Sequence, residues 1–240
     1  VVYQRVNNTV RLYTKQQRLV QMVSDQTRKQ EHNTSMLVGV LSQIVEFRNG
    51  ESGLHVQHIR ALTEKILDHL LEKTSDYKIS AEEQDNIPLA SALHDIGKIT
   101  IDENILNKPG RLTKEEFEVI KTHCMQGANM LRRLENFEDE PLLQTAYDIA
   151  RWHHERWDGR GYPDGLKGNN IPISAQIVSL ADVYDALTSE RCYKKTFSHE
   201  TAMRMILNGE CGAFNPLLLE CLTDLQAELQ EKLQNITANR

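Results

Sequence analysis

The sequence predicts an all-α fold, because apolar residues recur at helical spacing along most of the chain and no alternating strand pattern of useful length occurs. Its 240 residues suffice for one large domain, or for a domain with an appendage. Hydrophobic residues make up 40% and charged residues 26% of the chain, a composition typical of globular proteins. We therefore expect a helical bundle with a long helix at its N terminus.

The first element is predicted over residues 1–47, which contain no proline. Apolar side chains at heptad-like spacing indicate a weak coiled-coil seam, interrupted by Gln17 and by a polar stretch from residue 24 to 35. The segment is either one long connector helix or two in tandem, and residues 48–240 form the remaining domain. A homodimer through this seam and a solvated linker helix are both compatible with the pattern. The seam consists of Val6, Val10, Tyr13 and Val20.

The following elements are delimited by turn and capping signals. Arg48-Asn49-Gly50 ends the first helix, Thr113 and Glu116 form a capping box, and Pro141 stands at a helix start. The apolar pattern suggests a break near Thr122. The predicted helices run over residues 54 to about 72, 81 to about 97, 113 to 134, 141 to 153, 173 to 188, 198 to about 207, and 217 to about 233.

Charge and composition restrict the partners of the protein. The net charge of −6 is unfavourable for binding duplex nucleic acid. No apolar run reaches transmembrane length and no leader is visible. The chain begins at Val1 without a methionine, so we expect a fragment whose upstream regulatory domain is missing. Four cysteines lack metal-ligand spacing and predict free thiols in a reducing cytoplasm. They are Cys124, Cys192, Cys211 and Cys221.

Eight histidines and carboxylates form the candidate metal-binding set. Because the set contains no cysteine, it favours iron, manganese or zinc in an open hydrolytic site over a closed thiolate cage. Neighbouring residues on a helix do not share a face, so adjacent ligands can serve neighbouring metals. For any single histidine, a hydrogen-bonded core residue is the alternative. The set comprises Glu51, His55, His94, Asp95, His123, His153, His154 and Asp182.

Two motifs carry a resemblance to a known family. The run Ala92-Leu93-His94-Asp95-Ile96-Gly97-Lys98 resembles the signature of the HD superfamily of metal-dependent phosphohydrolases. The longer run from His153-His154-Glu155 through Gly161-Tyr162-Pro163 resembles the HD-GYP subfamily. This resemblance implies an HD-type helical bundle extended by C-terminal helices. It also implies hydrolysis of cyclic dinucleotides, mainly cyclic di-GMP, to linear pGpG and in a second cleavage to GMP.

The resemblance further implies roles for individual residues. Asp95 would bridge two divalent ions, iron or manganese foremost, and Glu51 would support a third. The remaining histidines and Asp182 would complete the metal sites. Lys98 would be catalytic and lie beside a substrate phosphate. The substrate contacts would be Lys98, Tyr162, Arg191 and Lys194.

Other interpretations of these motifs stay open. Lys194 is also explained as a surface charge, and the loop glycines as turn formers. Asp158 is predicted to hydrogen-bond the loop, and Trp152 and Trp157 to pack. An HD-type phosphohydrolase acting on other nucleotides, including cyclic GMP-AMP, and a non-catalytic cyclic-dinucleotide sensor are the competing functions.

Overall fold

The computed structural model describes residues 2–49, 53–189 and 196–238, and regular structure within these ranges is helical, with no strand. The all-α prediction is thus confirmed. Val6 and Val10 of the predicted seam have no described side chains. The α-helices are α1 (Val2–Arg48), α2 (His55–Lys73), α3 (Ala81–Ser91), α4 (Glu103–Leu106), α5 (Lys114–Arg132), α6 (Pro141–Trp152), α7 (Ile173–Thr188), α8 (His199–Leu207), α9 (Pro216–Asp224) and α10 (Gln226–Ala238).

The chain divides into two compact units, residues 1–38 and residues 39–240. The first unit is helical, and Tyr13 and Val20 of the predicted seam are 62% and 60% exposed in it. The helix α1 is continuous rather than two helices in tandem. Among the described residues, no helix combines the length and apolar character needed to cross a membrane.

The core of the second unit lies between α2 and α7. Ile59, Leu62 and Ile66 are fully buried and recur at helical spacing on α2. On α7, Ile177 and Leu180 are equally buried. Each such side chain stabilises the fold by about 1.5–3 kcal/mol when it leaves water. These two helices also carry His55 and Asp182, so core packing fixes the position of candidate ligands.

Local signals at helix starts behave as predicted. Thr113 accepts a hydrogen bond from the Glu116 N–H, and the Glu116 carboxylate accepts one from the Thr113 N–H, which completes the capping box of α5. Pro141 begins α6. Such caps depend only on neighbours in sequence and contribute about 1 kcal/mol each.

The helix predicted over residues 81 to about 97 is confirmed at its start, but its end is wrong, since α3 ends at Ser91 and is followed by a turn and a 3-10 helix, Ile96–Thr100. The reason lies in a tertiary contact. A Cβ added to Gly97 would stand 1.9 Å from the His123 carbonyl oxygen of α5, and one added to Gly127 would stand 3.1 Å from the Gly97 nitrogen. The backbone of this segment therefore packs directly on α5.

Two further boundaries differ from the prediction. The helix α5 is unbroken at Thr122, whose hydroxyl donates to the Val119 carbonyl at 2.7 Å and is thereby satisfied on the helix. The helix expected over 217–233 is instead two helices, α9 and α10, that meet at Leu225. Leu225 is buried, so the residue between the two helices packs into the core.

Candidate metal centre

The Asp95 carboxylate lies between two groups of histidines. Its Oδ2 is 3.2 Å from His94 Nε2, while its Oδ1 is 3.3 Å from His123 Nε2 and 3.8 Å from His153 Nε2. Asp95 follows α3 in the turn that leads into the 3-10 helix, and the histidines of the second group come from α5 and the end of α6. One carboxylate thus faces both groups.

The two groups are separate clusters of candidate ligands. In the first, His55, His94 and Asp95 place ligand atoms within 4.8 Å of one another. Asp182 Oδ1 lies 3.5 Å from His55 Nε2 and adjoins this cluster. In the second, His123, His153 and His154 lie equally close together. Seven of the eight predicted ligands therefore converge. Glu51, together with Arg191 and Lys194, lies outside the described residues.

Main-chain carbonyls orient three of the imidazoles. The Nδ1 atoms of His94, His123 and His153 lie 2.9, 2.7 and 2.9 Å from carbonyl oxygens of their own helical turns. A carbonyl only accepts, so each Nδ1 carries the proton and each Nε2 presents a lone pair. Such contacts fix the ring tautomer and orientation in metal sites.

Asp185 and His58 are residues that sequence reasoning missed. Asp185 Oδ2 accepts a hydrogen bond from His55 Nδ1 at 2.7 Å, and its Oδ1 accepts one from His58 Nδ1 at 2.7 Å. All three side chains are buried. A signal exists in the spacing: Asp185 follows Asp182 by one helical turn, and His58 follows His55 likewise.

Burial sets the charge of the second cluster. It lowers the pKa of His153 to about 3, and it lowers the pKa values of His123 and His154 as well. The neutral imidazole is the form that binds metal. The pKa of His94 behaves differently: burial opposes protonation, but the Asp95 carboxylate outweighs it and raises the pKa.

The carboxylate at the centre is ionised. Burial alone would raise the pKa of Asp95, but the Lys98 ammonium and His94 hold it well below the usual range. Lys98 Nζ lies 2.5 Å from Asp95 Oδ2, so the predicted catalytic lysine is at the centre. An anionic oxygen donor is therefore available between the two clusters.

Cys124 lies beside the second cluster, although the predicted ligand set contains no cysteine. Its sulfur lies 3.5 Å from His123 Nε2, and the side chain is fully buried. Burial raises the pKa of this thiol, and its sulfur lies within the second cluster of candidate ligand atoms.

The loop after α6 places an aromatic ring against the second cluster. Tyr162 stacks on His154, with ring centroids 4.8 Å apart and an angle of 29° between the planes. Glu155 orders the loop, because its carboxylate accepts hydrogen bonds from the Asp164 and Gly165 N–H groups. A Cβ on Gly161 would stand 2.4 Å from the Arg156 nitrogen, so the loop requires glycine there.

Other predicted loop roles agree with the contacts. Asp158 accepts a hydrogen bond from the Arg160 N–H at 3.0 Å and does not reach the histidines. Trp152 packs edge-on against Tyr147 and donates its ring N–H to Asp164.

The donor set fits divalent transition metals. His94 Nε2 and Asp95 Oδ1 are buried and make no hydrogen bond among the described residues, although they face other ligand atoms. Leaving such atoms unpaired is costly unless a ligand completes them. Imidazole nitrogens with carboxylate oxygens suit iron, manganese or zinc. A small pocket lies beside the first cluster and is lined in part by His55, His94 and Asp95.

Comparison with known protein families gives one match. A family model described as HD domain matches residues 39–212, which include every described candidate ligand. Among curated proteins, a probable cyclic di-GMP phosphodiesterase of Vibrio cholerae is 41% identical over 188 residues, 77% of this chain and 42% of that protein. A cyclic di-GMP phosphodiesterase of Thermotoga maritima is 38% identical, covering 80% of this chain and 49% of that protein.

The chain is also similar to a relative that is named for another substrate, and to a protein of known structure. A 3'3'-cGAMP-specific phosphodiesterase of Vibrio cholerae is 39% identical, covering 78% of this chain and 34% of that protein. The HD-GYP-type protein Bd1817 of Bdellovibrio bacteriovorus superposes with a TM-score of 0.55 at 22% identity, covering 71% of this chain and 51% of that chain. The chain spans about a third to a half of the length of these curated relatives.

Proposed function

Because this chain belongs to the HD domain family and its fold resembles that of an HD-GYP-type protein, we propose that it is a metal-dependent phosphodiesterase that hydrolyses cyclic di-GMP. The first product is linear pGpG, and a second cleavage gives GMP. The observation that carries the proposal is the position of Asp95, one carboxylate facing two clusters of imidazoles. That arrangement is the one a pair of ions bridged by a carboxylate needs.

The ligand assignment in this proposal follows the two clusters. His55, His94, Asp95 and Asp182 would hold one ion, and Asp95 with the second cluster would hold the other. Glu51 supports a third ion. Support comes from the convergence of the described ligands and from the carbonyls that aim three Nε2 atoms inward. Iron or manganese is the proposed metal, since imidazole and carboxylate accept both.

In the proposed reaction, the bound metal ions supply the Lewis acidity that activates water and neutralises charge on the phosphate. The chain contributes positioning and charge. Lys98, held next to Asp95, stabilises negative charge on a non-bridging oxygen of the phosphate. Tyr162 contacts the nucleoside, and Arg191 and Lys194 bind the second phosphate by charge-assisted hydrogen bonds.

Cyclic GMP-AMP is a second candidate substrate. It is favoured by the 39% identity to a protein named as 3'3'-cGAMP-specific, a value close to those of the cyclic di-GMP relatives. Both substrates present the same phosphodiester to the metal centre, so the bases decide between them.

The test is incubation of the protein, reconstituted anaerobically with iron or manganese, with cyclic di-GMP, cyclic GMP-AMP and cyclic di-AMP. Products are separated by chromatography, and metal content is measured in parallel. We expect pGpG from cyclic di-GMP only in the metal-loaded protein. Tight binding without turnover would instead support a cyclic-dinucleotide sensor, and turnover of mononucleotides alone would support a general nucleotide phosphohydrolase.

The proposal extends to the setting of the enzyme. Residues 1–47 act as a connector helix from an upstream regulatory domain, and residues 48–240 form the catalytic domain. A homodimer formed through α1 is part of this arrangement. The three described cysteines are free thiols, which fits a reducing cytoplasm.

A further inference from the structure

Three side chains form a surface beside the second histidine cluster, here called the ledge: Phe117 and Lys121 from α5, and Tyr162 from the loop after α6. The Phe117 ring meets the Tyr162 ring edge-on, with centroids 6.4 Å apart and planes at 82°. Lys121 Nζ lies 5.6 Å from the centroids of both rings. Because Tyr162 also stacks on His154, the ledge is continuous with the candidate metal centre.

The ledge does not contribute to the core in the way aromatic side chains usually do. Phe117 is 46% exposed, although phenylalanine contributes most to stability when it is buried. The neighbours of this ring on the helix surface are charged, since Lys121 pairs with Glu118 at 2.6 Å. The exposed Phe117 ring and the half-buried Lys121 ammonium group therefore lie together, next to ligands of the metal centre.

The position of the ledge is well defined on its inner side. Tyr162 is held by stacking on the half-buried His154. The loop that carries it is ordered by Glu155, whose carboxylate accepts hydrogen bonds from two main-chain N–H groups. Phe117 and Lys121 lie on α5, the helix that carries His123 two residues beyond Lys121. The distance between the ledge and the metal ligands is thus set by one helix and one ordered loop.

We propose that the ledge binds a purine base of the cyclic dinucleotide, with Phe117 and Tyr162 as the stacking surface and Lys121 as the group that reads the base. The inference rests on the proposed function and adds to it two substrate contacts, Phe117 and Lys121. Aromatic side chains stack on any base, because every base has a π face. A lysine ammonium pairs with the O6 and N7 acceptors of guanine, whereas adenine has an amino donor in place of O6. The ledge therefore favours guanine.

The first test removes the stacking surface. Phe117→Ala should raise the KM for cyclic di-GMP about tenfold, equivalent to about 1.4 kcal/mol. It should leave kcat within about twofold and metal content unchanged. Phe117→Tyr keeps an aromatic face and should restore the KM. Val119→Ala is the matched control, because Val119 is 39% exposed on the same helix and makes no contact with the ledge rings in the described contacts.

The second test concerns base identity. Lys121→Met keeps the length of the stem and removes the ammonium group. It should raise the KM for cyclic di-GMP about tenfold and change the KM for cyclic di-AMP by less than about twofold. An equal loss for both substrates would refute base reading by Lys121.

Several outcomes would overturn the inference. An unchanged KM in Phe117→Ala shows that the ring makes no contact with substrate. A fall in kcat or in metal content at unchanged KM shows that Phe117 only supports the fold of α5.

The ledge and the proposed function fail separately. A parent protein that binds cyclic di-GMP without hydrolysing it refutes the proposed activity but not the ledge, because Phe117→Ala should then raise the Kd about tenfold. A parent that hydrolyses cyclic di-GMP with variants that behave like the control refutes the ledge alone. A parent that neither binds nor hydrolyses a cyclic dinucleotide overturns both.

Discussion

At the scale of single residues, Asp95 connects the two histidine clusters through opposite oxygens of one carboxylate. Its pKa is well below the usual range: burial raises it, but Lys98 and His94 outweigh burial. Asp182, by comparison, lies 3.5 Å from His55 Nε2 in the first cluster. The loss of Asp95 should therefore affect both proposed ions together.

Asp95→Ala should abolish hydrolysis and lower metal content from at least two ions per chain to less than one. The loss should exceed the 10–100-fold effect typical of removing a group that only orients a ligand. Elemental analysis and product chromatography measure both quantities. Glu51→Ala is the comparison and should be milder, because it affects only a third ion. Near-normal turnover in Asp95→Ala would show that the bridging assignment is wrong.

Asp185 orients His55 and His58 by accepting a hydrogen bond from each, and it makes a pH-dependent contribution to the stability of the fold. Burial raises its pKa, but the hydrogen bonds from the two histidines outweigh burial and lower it. A carboxyl with a depressed folded-state pKa stabilises the fold above its unfolded pKa, which is about 3.9, and this stabilisation is lost as pH falls through the folded pKa.

Asp185→Asn should therefore lower metal affinity about 10–100-fold and reduce the free energy of unfolding at pH 7. The stability difference from the parent should shrink as the pH falls below 4. Denaturant unfolding at several pH values, in metal-free protein, checks this. Asp102→Asn is a suitable control, because Asp102 is an exposed helix cap and asparagine caps equally well. A stability difference independent of pH would contradict the role of the Asp185 charge.

At the scale of elements, the end of α1 contacts both segments that carry the first cluster. Glu46 is buried, and its carboxylate accepts a hydrogen bond from the Val56 N–H at the start of α2, at 2.7 Å. Arg48 donates to the carbonyl oxygens of Ile99 and Ile101, at the end of the 3-10 helix that follows Asp95. The last turns of α1 thereby position the first turn of α2 and the segment after the HD doublet.

Glu46→Ala should lower the free energy of unfolding by about 1–3 kcal/mol, because a buried N–H loses its acceptor. It should also reduce metal retention by the His55 cluster, since the first turn of α2 carries that ligand. Glu46→Gln keeps an oxygen acceptor and should be milder. Urea unfolding and metal analysis of the two variants provide the comparison. Equal effects of the two substitutions would show that the charge, rather than the acceptor, matters.

Prediction from sequence succeeded for features that neighbours in the chain determine. The capping box at Thr113 and the start of α6 at Pro141 involve residues within one turn. The clustering of candidate ligands was predicted by resemblance to a family motif. The end of α3 was missed because it depends on Gly97 approaching α5, a contact between residues 30 positions apart. Asp185 was missed because its partners lie on another helix.

At the scale of the whole molecule, the question is which part of α1 mediates self-association. Tyr13 and Val20 are exposed in the first unit, as a seam for a second copy requires. Val40, Ile44 and Phe47, also exposed, recur at heptad spacing in the second unit. Both sets of side chains are exposed and can contact a partner helix, so the proposed dimer interface has two candidate positions on α1.

Deleting residues 1–35 should give a monomer that still binds metal and cleaves substrate, because every candidate ligand lies in the second unit. Sedimentation measures the mass, and metal analysis serves as the control for folding. If the dimer survives the deletion, Val40→Gln with Ile44→Gln in the shortened chain should dissociate it. If the dimer survives all three changes, its interface lies in the globular core. If the parent protein is monomeric, the dimer hypothesis is wrong.

The contact between Gly97 and Gly127 has a consequence for interpreting relatives of this protein. Here two backbones pack together without intervening side chains, since a Cβ added to Gly97 would also stand 2.5 Å from the Gly127 nitrogen. No rotamer change can absorb a larger residue at Gly97. A homologous chain that retains all eight metal ligands but carries a side chain at this position would have its two clusters forced apart. We expect such a chain to bind metal less tightly than its ligand residues alone would predict, because the two clusters would no longer be held at the required spacing.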